Sequence, residues 1–123
     1  CPETSRIALE TFDQLKLKNI KLITGPFDEN LPKVINGLSS VDLVFFDGNH
    51  RYEPTLKYFH LCLPKANNQS VFIFHDIHQN EEMVRAWSEI IQNHAVTLSL
   101  DFYRLGVIIF KKELSKQHFN LRS

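Results

Sequence analysis

Apolar positions along this chain fall into helical and strand periods that alternate. Residues 3 to 16 place Ile7, Ala8, Phe12 and Leu15 on one helical face, and Pro2 suits a first turn. Ile20 to Thr24 reads as a strand that stops at Gly25-Pro26, and Asp28 to Asn36 as a short helix stopped by Gly37. Val41 to Phe46 is a strand, Glu53 to Leu63 a helix with Pro54 in its first turn, and Val71 to Phe74 a strand. Asn80 stands where a helix cap belongs, followed by Glu81 and Glu82, which favour the positive end of the helix dipole. The apolar face of that helix is Met83, Val84, Trp87, Ile90 and Ile91. Val96 to Leu100 and Val107 to Phe110 are two further strands, and the polar tail after Lys111 is expected to be loose at its end.

The strands differ in character. LVFF, VFIF and VIIF are unbroken apolar runs, the pattern of strands covered on both faces, whereas IKLIT and VTLSL alternate, as nearer an edge. Asp101 to Gly106 leaves no room for a helix, so the last two strands are expected to be antiparallel neighbours. The remaining connections are helical crossovers and imply parallel pairing. The pattern predicts an α/β fold: a doubly wound, Rossmann-like sheet, mostly parallel, with a C-terminal antiparallel strand at one end. The length suits a single domain over residues 1–123.

Charge and composition narrow the function classes. Lys plus Arg and Asp plus Glu both number 14, with no basic or acidic block, which argues against nucleic acid or a membrane surface as partner. No apolar stretch approaches a membrane span. Cys1 and Cys62 form no CxxC, so free thiols in a reducing cytoplasm are expected.

The chemistry collects at two strand ends. Open α/β sheets bind ligands beyond the carboxyl ends of their strands. Asp47, followed by Gly48, Asn49 and His50, ends one apolar run; His75-Asp76-Ile77-His78 ends the next. With one helix between them these strands are expected to be neighbours, under about 5 Å apart. Two converging carboxylates repel unless a proton or a cation lies between them. Carboxylate oxygens suit Mg²⁺, Ca²⁺ or Mn²⁺, and His50 or His78 nearby tilts the choice towards a transition metal. His75 directly precedes Asp76, and strand alternation turns it the opposite way, so it carries less weight than His50 and His78. Arg51 and Tyr52 read as loop packing, Met83 and Trp87 as core, and His60, His94 and His118 as surface or packing residues.

Two enzyme families compete for these residues. GNH at 48–50 and DxH at Asp76-Ile77-His78 occur in metal-dependent phosphoesterases, which would use Asp47, His50, Asp76 and His78. That family, however, places DxH first, and Arg51 stands where an acidic residue usually follows GNH. The chain more closely resembles class I S-adenosylmethionine-dependent O-methyltransferases through ITGPFDENLP (23–32), VDLVFFDGNHRYEPTLKYF (41–59), SVFIFHDIHQNEEMVRAW (70–87) and VTLSLDFYRLGVIIF (96–110). The resemblance implies that Gly25, Pro26 and Phe27 lie near the adenine of the cofactor and Asp47 near its methyl group. It also implies that, in metal-using members, Asp47 and Asp76 bind a cation such as Mg²⁺. Pro26 follows Gly25 where the family has an aspartate. The implied reaction is methyl transfer to a small-molecule hydroxyl, with His50 or His78 taking the proton.

The family's glycine-rich loop is absent, and the sequence opens with CPET rather than Met. The expectation is therefore the C-terminal part of a methyltransferase domain lacking its first two strands. Such a fragment leaves Val41 to Phe46 with an unpaired edge, and self-association into a homo-oligomer or rearrangement is expected, with weak or no cofactor binding by these residues alone. A non-catalytic folded fragment is the alternative outside the enzymes.

Overall fold

The structure is a computed structural model that describes residues 1–121. The described residues divide into two compact units, one over Cys1–Asn36 and one that begins at Gly37.

The first unit holds helices α1 (Pro2–Gln14) and α2 (Phe27–Asn36). Pro2 begins α1, where its missing N–H costs nothing. No residue of α1 is buried. Ile20 to Thr24 is not a strand. The alternation in IKLIT is real, but a strand also needs a hydrogen-bonded neighbour, and the sheet includes none of these residues.

The second unit carries a five-stranded sheet: β1 (Val41–Phe46), β2 (Ala66–His75), β3 (Leu98–Asp101), β4 (Leu105–Ile109) and β5 (Gln117–Asn120), in the order β1-β2-β4-β3-β5. Helix α3 (Tyr52–Cys62) joins β1 to β2, and α4 (Glu81–Gln92) joins β2 to β3. β1 pairs parallel with β2, and β3 with β5; β4 runs antiparallel to both β2 and β3. The antiparallel strand therefore lies inside the sheet rather than at its end. The tail after Lys111 supplies β5: its backbone pairs with β3, and Lys116 Nζ just before it donates to the carbonyls of Asn93 and Val96 beyond the end of α4, while the very end, expected to be loose, lies outside the described residues.

The sheet is mixed and is covered by α3 and α4 on one face, so the doubly wound expectation does not hold for this unit. Both crossovers run from β1 towards β3, and right-handed connections that progress in one direction put their helices on the same face. Phe59 of α3 packs edge-on to Phe72, with ring centroids 6.4 Å apart, and Trp87 of α4 lies 6.0 Å from Phe74. Burial along the strands alternates accordingly. Phe72, Phe74 and Ile108 are closed off, while Val71, Ile73, Val107 and Ile109 are only half-buried. On edge strand β1, Leu43 is 64% exposed and Phe45 53%. LVFF and VFIF are apolar on both faces, yet within this unit α3 and α4 cover one of them.

The core beneath α3 and α4 depends on a close approach. A Cβ on Gly106 would stand 2.5 Å from Trp87 Cη2, so the indole fits only over a glycine. Thr55 donates to Met83 Sδ between the two helices at 3.4 Å. Val84, expected on the buried face of α4, is exposed, and Ala86 takes its place in the core.

Candidate functional site

The site forms where β1 and β2 end side by side. Their register pairs Phe45 with Ile73 and Phe46 with Phe74, so the residues just beyond are neighbours. Side chains two apart share a face, so Asp47 continues the row of Leu43 and Phe45, and His75 that of Val71 and Ile73. These two groups meet, with His75 Nδ1 2.9 Å from Asp47 Oδ1.

Two left-handed backbone positions bring in the others. Asp76 has φ 55°, a conformation that Asp tolerates better than most residues, and its N–H donates to the Arg104 carbonyl at 2.6 Å. This turn breaks strand alternation and carries the Asp76 carboxylate back, 3.2 Å from the same His75 Nδ1. Asn49, at φ 57°, turns the loop after β1, and the Arg51 N–H donates to its carbonyl at 2.7 Å. His50 thereby faces both carboxylates, its Nε2 3.6 Å from Asp47 and 3.9 Å from Asp76. The Asn80 side chain holds the His50 carbonyl at 3.2 Å, while its Oδ1 caps α4 by accepting from the Met83 N–H.

His50 Nε2 and His75 Nδ1 are shielded from solvent but make no hydrogen bond to any described residue. The short N···O distances and the missing bonds are compatible, because closeness alone does not align a ring N–H with an oxygen. A buried nitrogen left so costs about 1–3 kcal/mol. Among the described residues, Asp47, His50 and His75 form a group whose donor atoms all lie within 4.8 Å of one another, as a shared ion needs. Two carboxylates and two imidazoles are ligand types for a divalent cation.

His78 behaves differently from the expectation. Its Nε2 lies 2.7 Å from the Oδ2 of Asp101, whose side chain is buried, and its ring stacks on Tyr103. His75, discounted because alternation turns it away from Asp76, is the imidazole nearest both carboxylates. The clue available beforehand was that aspartate is among the few residues at ease in a left-handed turn. Tyr52 is a packing residue: it donates to Glu89 and lies under the Arg85 guanidinium, 3.8 Å from the ring centroid. The Glu89 hydrogen bond raises its phenol pKa.

In the first unit, Gly25 (φ +126°) and Pro26 turn the chain into α2. A Cβ on Gly25 would meet Asn30 Nδ2 at 2.6 Å, and that amide donates to the Thr24 carbonyl, so the turn itself requires the glycine. Phe27 is exposed at the start of α2.

An α/β sheet with paired carboxylates at the carboxyl ends of adjacent parallel strands is the setting of a ligand-binding or catalytic domain. Residues 3–77, which include every residue of this cluster, match the model of a family described as a methyltransferase domain, and the chain belongs to that family. This agrees with the resemblance to class I S-adenosylmethionine-dependent methyltransferases and sets the phosphoesterase reading aside. The chain is also similar to the "Uncharacterized protein y4gI" of Sinorhizobium fredii (strain NBRC 101917 / NGR234), with 31% identity over 99 residues, 78% of this chain and 11% of that protein. The chain thus spans about a tenth of the length of the curated relative it matches. No solved structure matches. No helix among the described residues is long and apolar enough to cross a membrane.

Proposed function

We propose that this domain serves S-adenosylmethionine-dependent methyl transfer to a small-molecule hydroxyl, assisted by a divalent cation at Asp47 and Asp76. The observation that carries the reading is the approach of both carboxylates to His50 and His75 at the ends of β1 and β2. Family membership supports the methyl donor. By the resemblance, Gly25, Pro26, Phe27 and Asp47 are its contacts.

In the proposed step the hydroxyl oxygen bonds to the sulfonium methyl carbon, the carbon–sulfur bond breaks, and the hydroxyl proton leaves. His50 Nε2 takes that proton, since a neutral imidazole is a competent base near neutral pH. Asp47 and Asp76 stabilise the imidazolium that results. When bound, the cation supplies Lewis acidity that lowers the pKa of the hydroxyl. His78 is left out of this assignment because its Nε2 is engaged with Asp101.

The test is transfer of a labelled methyl group from S-adenosylmethionine to a panel of hydroxylated acceptors. Asp47→Asn and Asp76→Asn are each expected to lower turnover by about 100-fold or more, with an unchanged circular dichroism spectrum. Normal turnover in a well-folded Asp47→Asn protein would sink the reading.

A further inference from the structure

Asn80 makes two different hydrogen bonds with one side chain. Its Oδ1 accepts from the Met83 N–H at 2.8 Å and caps α4, while its Nδ2 donates to the His50 carbonyl at 3.2 Å. The cap alone does not call for asparagine. Aspartate caps a helix about as well and adds a charge that suits the dipole, but it brings no donor. The two bonds also fix which way the amide faces, since one orientation satisfies both and the flipped one satisfies neither.

The second bond lands on a strained piece of backbone. Asn49 lies in the left-handed region at φ 57°, and the Arg51 N–H closes back on the Asn49 carbonyl at 2.7 Å. His50 is thus the middle residue of a tight turn. Asparagine tolerates a left-handed backbone better than most residues, but the conformation persists only where the surroundings hold it. The helix on the other side of Asn80 is a firm support, with Met83, Ala86, Trp87 and Ile90 buried. The turn in its own right sets the place of the imidazole, whose Nε2 stands 3.6 Å from Asp47 and 3.9 Å from Asp76.

We propose that Asn80 is a positioning residue: its amide latches the turn at residues 49–51 onto the packed start of α4 and so holds His50 Nε2 facing the two carboxylates, where it takes the acceptor's proton. The proton transfer rests on the methyl-transfer reading above, whereas the latch does not. A base carried on a released turn spends less time in line with the proton it must take, so losing the latch slows turnover without weakening the methyl donor's binding.

The experiment compares Asn80→Asp and Asn80→Ser with wild type in the full chain. Both variants keep an oxygen for the cap and lose the amide donor, and serine does so without adding charge. Two backbone amides read the two bonds separately in hydrogen exchange followed by NMR. The Met83 N–H is expected to keep its wild-type protection, while the Arg51 N–H exchanges at least about tenfold faster. In methyl transfer, kcat is expected to fall by at least about tenfold, with KM for S-adenosylmethionine unchanged. Wild-type exchange at Arg51 in both variants would overturn the proposal. So would a wild-type kcat in a variant whose Arg51 N–H has been released, or loss of protection at Met83 together with Arg51 in both, which is fraying of the helix start. The two readings fail separately: a wild-type chain that transfers no methyl group sinks the functional reading, and the exchange at Arg51 and Met83 still decides the latch.

Discussion

Helices α1 and α4 have 13 and 12 residues, and each carries apolar side chains at helical spacing. In α4, Met83, Ala86, Trp87 and Ile90 are buried. In α1 nothing is: Ile7 is 51% exposed and Leu15 63%. The caps differ in the same sense. Asn80 accepts a hydrogen bond from the Met83 N–H at 2.8 Å, whereas Cys1 makes no side-chain cap. An apolar stripe states a demand for a partner surface, and α4 meets it within its own unit, with Phe74 and the bare backbone of Gly106 beneath its indole. Most helical stability in proteins comes from such packing rather than from propensity.

The largest effect that separates the two helices is expected from truncation at equivalent apolar positions. Trp87→Ala should cost about 3–5 kcal/mol in urea unfolding, as large core truncations do, while Ile7→Ala should stay within about 0.5 kcal/mol. Equal losses would break the comparison. Gly106→Ala comes next, at about 1–3 kcal/mol from overpacking against the indole. A neutral result would mean that Trp87 has room to move, contrary to the contact at 2.5 Å. Asn80→Ala should cost about 1 kcal/mol. Asn80→Asp should restore most of it, because the carboxylate still accepts from the Met83 N–H and suits the helix dipole. The smallest effect is on stability nil and on reactivity large. Burial pushes the Cys62 thiol up to about 11, so at pH 8 it stays protonated and closed to reagents, while exposed Cys1 reacts. One rapid thiol equivalent in the native protein and two after unfolding is the expected titration.

Legibility in the sequence followed the range of the forces involved. Asp47 and Asp76 at two strand ends were readable because β1, α3 and β2 each follow from local periods, and one crossover brings their carboxyl ends together. His75 was misjudged because alternation is a rule for extended backbone, and Asp76 leaves that conformation. His78 was grouped with the site because it stands two residues after Asp76, whereas its partner Asp101 lies 23 positions on. Ile20 to Thr24 and Gln117 to Asn120 failed in opposite directions. The first has strand residues and no sheet partner; the second has exposed, mostly polar residues and a parallel pairing with β3. In both cases the deciding interaction is a backbone hydrogen bond to a distant segment, which side-chain pattern does not encode.

The sequence by itself determined that β1 and β2 are apolar strands ending in carboxylates, that α4 starts at Asn80, and that the last apolar pair forms an antiparallel hairpin. Each depends on residues close along the chain, through φ/ψ preference, capping and period. Only the tertiary structure decided that β4 inserts between β2 and β3, that α3 and α4 share one face of the sheet, and that His75 rather than His78 stands between the two carboxylates. Those outcomes rest on pairing and packing between segments far apart in sequence. Many sequences with the same local patterns satisfy such contacts differently, and the choice is made by which surfaces fit and which backbone groups find partners.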